Sequence, residues 1–187
     1  MVNFVCVLWD NKHTNHSVKK LYNMIQKNLT IDHKFYCFTD QIKNQTNNDI
    51  IFKKFPKNGF KGWWNKLQLF NPEIKLEGVN IFFDLNLIIS KNIDHFATYG
   101  EDESFCVLPN FNSNIIKWNN KTAYIIWEEY MNNHFSLLHM NHSDDRASII
   151  WEQYGNKSKY FSEHEIIKDI MSSKPEFKFF PESYQYN

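Results

Sequence analysis

An α/β fold with a mostly parallel central sheet flanked by helices is predicted by three features of this 187-residue chain. Short apolar runs at residues 2–9, 33–38 and 79–83 each end in small polar residues: Asp10-Asn11, Thr39-Asp40 and Asp84. Runs of this length and composition read as buried strands. Between the first two, Val18, Leu21, Tyr22, Ile25 and Leu29 recur at helical spacing, and the order strand, helix, strand favours parallel pairing through a crossover. Aromatic residues make up 17% and charged residues 22%, a composition that closes a core and excludes a disordered chain. The length suits a single domain over residues 1–187.

In chain order, the opening strand is residues 2–9, and Ser17 is the candidate N-cap of the helix that follows. Residues 33–38 form the second strand and 50–52 a short third. Residues 53–61 are loop, with Pro56 and the Asn58-Gly59 turn pair. Trp63, Trp64, Leu67 and Phe70 mark a short helix that Asn71-Pro72 stops, because the residue before a proline is driven out of the helical region. After the Asp84 strand, residues 92–96 read as a tight turn. Residues 105–108 and 115–118 are further strands, joined closely enough to be antiparallel additions. The last third reads as helical. Thr122 caps a helix to about residue 133, Ser143 caps another ending at Gly155, and Ser162-Glu163-His164-Glu165 is a capping box ahead of Ile166, Ile167 and Ile170.

Composition also excludes function classes. Zero formal net charge and an isoelectric point near 7.1 argue against a general nucleic-acid surface, which needs a basic excess to displace counterions. Abundant Asn, Ile, Lys, Phe and Tyr, with Arg146 the one arginine, reflect coding bias rather than function. Cys6, Cys37 and Cys106 are odd in number, widely spaced and each inside a predicted strand; buried free thiols in a reducing compartment are expected, and the absence of C-x-x-C spacing argues against metal binding through them. No run of 18 apolar residues occurs, so no transmembrane segment is expected. The first residues show no basic region or cleavage site, so the expected location is cytoplasmic.

The chemistry concentrates in a few places. Asp84 and Asn86 interrupt the apolar run 79–89. An unpaired buried charge is costly, so the carboxylate belongs at a strand end, facing something cationic. Alternation sets the two side chains on one side, roughly 6–7 Å apart at Cα, where they can grip one divalent metal or one sugar; an Asx turn satisfying local backbone groups is the other reading. Thr39-Asp40 lies just past the second strand, where open α/β sheets place ligands, though Asp also commonly opens turns. In Trp63-Trp64-Asn65-Lys66, adjacent indoles point about 100° apart. One faces the core and the other is left to cover a ligand, with Lys66 offering charge to phosphate or ribose oxygens. Asn112-Ser113-Asn114 can hydrogen-bond sugar hydroxyls or form a polar loop. Asp144-Asp145 opens a predicted helix, whose dipole favours acids; a carboxylate there can also accept a hydroxyl proton. His134, His139 and His142 cluster, but without supporting cysteines they read as polar surface.

Taken together, Phe38-Thr39-Asp40, Gly62-Trp63-Trp64-Asn65-Lys66-Leu67, Phe82-Phe83-Asp84-Leu85-Asn86 with Ile93-Asp94, Asn112-Ser113-Asn114 and Ser143-Asp144-Asp145 resemble, in order and spacing over roughly residues 2–184, the nucleotide-sugar-dependent glycosyltransferases of the GT-A fold. The resemblance implies a Rossmann-like GT-A domain that moves a sugar from a nucleoside-diphosphate sugar, UDP among the candidates, to a glycan or other hydroxyl acceptor. Asp84 and Asn86 stand where the family carries its D-x-D, which holds Mn²⁺ or Mg²⁺. The leaving diphosphate gathers negative charge as the glycosidic bond breaks, and a metal neutralises it. Asn86 departs from the pattern: an amide carbonyl still ligates a hard cation, with one unit of charge less, so weaker binding is expected. The resemblance further implies Thr39, Asp40, Trp64 and Lys66 at the nucleotide, and Asn112 and Ser113 at the donor sugar. Asp144 falls near the reacting centre, where the family often has Gly-Asp-Gln, and is the expected catalytic residue. One of the clustered histidines, or His164, is a candidate third metal ligand, with none singled out. Ser183-Tyr184-Gln185 resembles a family segment whose Lys reaches donor phosphates; Gln185 breaks that match, and an abbreviated acceptor-side cover is expected. A Lys-rich surface leaves peripheral contact with a membrane-bound acceptor open. The alternative is a non-catalytic nucleotide-sugar or glycan-binding relative, favoured by Asn86 and Gln185. A nucleotidyltransferase would need a Gly-rich phosphate loop that the five glycines do not form.

Overall fold

The runs of alternating apolar side chains become strands with both faces buried. In β1 (Val2–Leu8), Phe4, Cys6 and Leu8 enter one half of the core while Val5 and Val7 enter the other. The computed structural model describes residues 1–9, 13–40, 49–57, 60, 62–133 and 163–184. After β1 come α1 (Asn15–Asn28), β2 (His33–Thr39), β3 (Ile50–Lys54), a 3₁₀ helix (Gly62–Phe70) and β4 (Val79–Phe83). Then follow α2 (Asp94–Thr98), β5 (Phe105–Leu108), β6 (Asn112–Trp118), α3 (Asn120–Asn133), α4 (Glu163–Met171) and β7 (Phe177–Phe179). The described strands form a seven-stranded sheet in the order β3-β2-β1-β4-β6-β5-β7. β1 to β4 are mutually parallel. β6 runs antiparallel to β4 and β5, and β7 parallel to β5, so β6 alone among them is reversed. This is the α/β, Rossmann-like architecture that the sequence predicts.

The topology itself marks a binding edge. From β1 the chain steps outward to β2 and β3, then returns to place β4 on the other side of β1. That reversal opens a crevice at the carboxyl ends of β1 and β4, where open α/β sheets hold their ligands. One side of the sheet is covered by the 3₁₀ helix, α3 and α4, through Leu67, Phe70, Ile126, Tyr130 and Ile166. The other is covered by α1, α2 and Phe180.

Several elements differ from the sequence reading. α1 starts at Asn15 with Thr14 as its N-cap; Ser17 lies inside the first turn, its N–H bonded to the Thr14 carbonyl at 2.9 Å. Residues 92–96, expected as a turn, lead into α2 because the Asn92 side chain accepts the Asp94 N–H at 3.0 Å and sets the first helical turn. α3 begins at Asn120, ahead of Thr122, with the Asn119 side chain accepting the Lys121 N–H at 3.0 Å. β7 is a strand in the stretch read as helical, recruited by pairing with β5 rather than by its own pattern. The predicted helix at 143–155, the Asn58-Gly59 pair and Ser162 lie outside the described residues. Cys6, Cys37 and Cys106 are buried and free, as expected. No described helix is long and apolar enough to cross a membrane.

Gly78 turns the chain into β4 with φ +85, and a Cβ there would meet the Met1 carbonyl oxygen at 2.3 Å. Gly78→Ala is therefore expected to destabilise by more than about 1 kcal/mol, read as a lower urea midpoint at unchanged slope.

Burial raises the Cys106 thiol to about 11 from 9.0 and also raises Cys6 and Tyr130. Each keeps its proton in the native state above the pH at which the unfolded chain loses it. Their stabilisation is complete below the unfolded values and lost as pH rises through the folded ones. Lys117 opposes this. Its buried ammonium donates to the carbonyls of Ala97 and Tyr99, burial lowers its pKa, and its contribution grows as pH rises toward 10.5. Burial raises Tyr22 as well. With four of the described groups against one, the melting temperature is expected to fall from about pH 9 to about 11, and Cys106→Val should flatten part of that fall.

Candidate functional site

β4 delivers Asp84 to the crevice. The Asp84 N–H bonds the Asn114 carbonyl at 2.9 Å, carrying the ladder with β6 one residue past the strand. Oδ1 of Asp84 then accepts both the backbone N–H and the side-chain amide of Asn86, each at 3.1 Å. Asp84 is half-buried and Asn86 exposed. The Asx turn foreseen as one reading is thus present, and it is also what gathers the two side chains at the strand end. Their oxygens are hard donors of the kind Mg²⁺ and Mn²⁺ accept, and such ions commonly take one or two protein ligands with phosphates and water completing the shell. Asn86 would need its amide rotated to present Oδ1. The donor set fits a cation shared with a diphosphate. Among the described residues no group of three or more His, Cys, Asp or Glu side chains could hold a metal by itself.

Thr39 is fully buried at the end of β2, paired in register with Leu8 of β1, and its carbonyl accepts the Phe55 N–H at 3.3 Å. Asp40, the next residue, is exposed on the same carboxyl edge. The start of the reversed strand β6 meets this edge as well, bringing Asn112 and Ser113 beside Asp84. Asn112 is exposed, its side chain accepting the Asn114 N–H at 2.9 Å. Just before it, Asn110 and Phe111 have φ of 60 and 56, a left-handed conformation costly for an aromatic residue and characteristic of functional loops. The Phe111 ring is held by stacking on Phe177 at 5.4 Å, by the edge of Phe179 at 4.8 Å and by the Lys168 ammonium at 5.4 Å.

Behind the edge lies a buried polar network. Lys66 is 2% exposed and Ser113 fully buried. The Lys66 ammonium donates to Glu163 Oε1 at 2.9 Å, to Ser113 Oγ at 2.9 Å and to the Ser113 carbonyl at 3.3 Å. Its three donors are thereby matched, and it sits 4.9 Å from the centre of the Phe82 ring. Ser113 Oγ is 3.2 Å from Glu163 Oε1, and the Ser113 N–H donates to His164 Nδ1 at 3.2 Å. That bond assigns the His164 proton to Nε2, 3.7 Å from Glu163 Oε1. Lys66, expected at the nucleotide, therefore faces β6 and α4, and acts on the edge through Ser113. Trp64 stacks on Tyr130 at 5.6 Å, while Trp63 is 52% exposed. The indole carried as the donor-side candidate is the one that packs inward.

Asp144, Gln185 and the histidines at 134, 139 and 142 lie outside the described residues. Tyr184 packs on His95 and Phe96, against α2. Glu163, absent from the expected site set, is the structure's addition, whereas His164, one of the candidate third metal ligands, has its Nδ1 taken by the Ser113 N–H. The sequence showed Glu163 only as part of a helix start; the partners of the two residues are 97 and 51 positions away.

No protein-family model matches this chain, nor does any curated protein. Solved structures do. The glycosyltransferase GlyE of Streptococcus pneumoniae TIGR4 superposes with a TM-score of 0.62 at 11% identity, over 99% of this chain and 46% of its own. The active-site mutant Q189E of LgtC gives 0.56 at 12%, over 95% and 72%. Galactosyltransferase LgtC in complex with donor and acceptor sugar analogs gives 0.54 at 12%, over 98% and 77%. The chain spans less than half the length of GlyE. These likenesses establish a glycosyltransferase fold.

Proposed function

We propose that this chain is a metal-assisted glycosyltransferase, moving a sugar from a nucleoside-diphosphate sugar to a hydroxyl of a glycan or related acceptor. The observation that supports the reading is placement along one sheet edge. Asp40 follows β2, Asp84 and Asn86 follow β4, and Asn112 and Ser113 open the reversed strand β6, so all five lie toward the edge at which the strand order opens a crevice. In this reading Asp84 and Asn86 hold Mn²⁺ or Mg²⁺, which when bound would offset charge on the departing diphosphate. Asp40 accepts hydrogen bonds from ribose or base. Asn112 offers its amide to the sugar hydroxyls, and Ser113 is held still beneath it by Lys66 and Glu163. Asp144 remains the candidate to accept the acceptor's proton.

A second reading, a binding module without turnover, is favoured by one observation: Oδ1 of Asp84 is already engaged by two Asn86 N–H groups, and Asn86 adds no charge. Thermal melts with UDP, GDP, CDP and ADP, each with and without Mn²⁺, test both. At a hundred times Kd a ligand of the native state adds about 2.7 kcal/mol. The transferase reading expects one nucleotide to raise the melting temperature only with Mn²⁺, and Asp84→Ala to lose the shift. A shift indifferent to Mn²⁺ favours the binding module, and none at all rejects the donor site.

A further inference from the structure

On the side of the sheet away from the Lys66 network, α1 and the segment following Asn86 enclose a groove of about 660 Å³. Its walls include His16, Lys19, Lys20 and Lys27 on the helix and Ile89 and Ser90 opposite. One end is closed where the Ile93 N–H bonds the Asn28 carbonyl at 2.9 Å. The 14 residues of α1 hold three lysines, one histidine and no acid, in a protein whose 21 Lys and Arg and 21 Asp and Glu cancel over the whole chain. All four are exposed, and among the described residues none of the three lysines forms an ion pair. Asp49 acts on α1 at Tyr22, which packs against Phe35 instead of lining the groove. Asp94, beyond the closed end, is engaged by Thr30 and Asn92. In the segment opposite α1, one residue before Ile89 of the groove wall, Ile88 is 74% exposed.

A row of unpaired ammonium groups next to an unburied aliphatic side chain matches two layers of one partner. Lysines near a bilayer meet anionic headgroups, while an aliphatic side chain gains by leaving water for the acyl boundary. A small soluble anion would use the charges and leave Ile88 without a role. We propose that this face of α1 with Ile88 docks the protein on an anionic lipid bilayer. The proposal does not depend on the donor site, which lies at the sheet edge.

Co-sedimentation of the full chain with vesicles of phosphatidylglycerol and phosphatidylcholine, against phosphatidylcholine alone, tests it. Binding is expected to the anionic vesicles only, and to weaken steeply at 0.5 M salt as the charges are screened. Each lysine near the surface is worth about fivefold in partitioning. The combined Lys19→Ala, Lys20→Ala and Lys27→Ala variant should bind roughly a hundredfold less, and Ile88→Ser about tenfold less. These positions are exposed, so circular dichroism and melting should match wild type. Three outcomes overturn the proposal: no pelleting with anionic vesicles at low salt, undiminished binding by the triple lysine variant, or wild-type binding by Ile88→Ser with full competition by inorganic phosphate. The last would assign the groove to a soluble anion.

Discussion

Glu163→Ala is expected to cost about 3–5 kcal/mol of folding stability, and Lys66→Ala a comparable amount. Both side chains are 3% exposed, so removing either leaves a charge buried without its counter-ion, far from water that could stabilise it. Ser113 shares the loss, since its hydroxyl contacts both. The paired replacement Lys66→Met with Glu163→Leu should recover most of the stability, because apolar side chains of similar volume often replace a buried ion pair at little cost. Urea unfolding of the wild type, the two singles and the double closes the cycle. Single variants within about 0.5 kcal/mol of wild type would show that the pair is not closed in solution. If transfer activity is found, the stable double variant separates roles: lost activity with retained fold would make the pair a positioning device for the Ser113 edge.

Removing Asp84 is the second large effect. Asp84→Ala is expected to lower turnover of a nucleotide sugar by about a hundred- to a thousandfold, the scale of losing one electrostatic contributor to a transition state. Alanine also deletes the acceptor of two Asn86 hydrogen bonds, so Asp84→Asn is the sharper probe: its amide oxygen keeps the turn while the charge goes. A comparable loss in both variants points to the charge, whereas loss in alanine alone points to the turn. Asn86→Asp should strengthen divalent binding and shift the preferred cation, because the second carboxylate restores a full unit of charge. Turnover unaffected by Asp84→Asn and by chelator would count against metal assistance.

Much of this was legible in the sequence because it is local. The parallel strands announce themselves as apolar runs ending in Thr39-Asp40 and Asp84, and those polar ends are where the topology places a crevice. The Asp84-Asn86 turn follows from residue type and spacing alone. What escaped was set by partners distant in the chain. β7 has three residues and exists because β5 offers it an edge. Lys66 read as an exposed cation because nothing nearby in sequence hinted that Glu163 would reach it. The two tryptophans differ by about 120° on the 3₁₀ helix, and the inward one, Trp64, stacks on Tyr130 of the distant α3. Local pattern thus recovers the frame and the edge, while the assignment of each side chain to ligand or to core depends on the far half of the chain.

The left-handed pair Asn110-Phe111 ties the rim to the tail. Phe111 keeps its unfavourable backbone because rings from β7 brace it, and β7 in turn is fastened to β5 by the Phe105 N–H to Glu176 carbonyl and Phe180 N–H to Val107 carbonyl bonds, each 2.9 Å. Asn112, one residue beyond, inherits its aim from that brace. The rim is consequently spring-loaded against a strand more than sixty residues later. If the proposed donor site holds, substitutions in the aromatic tail are expected to shift sugar preference through Asn112, a dial for specificity remote from the residues proposed to touch substrate.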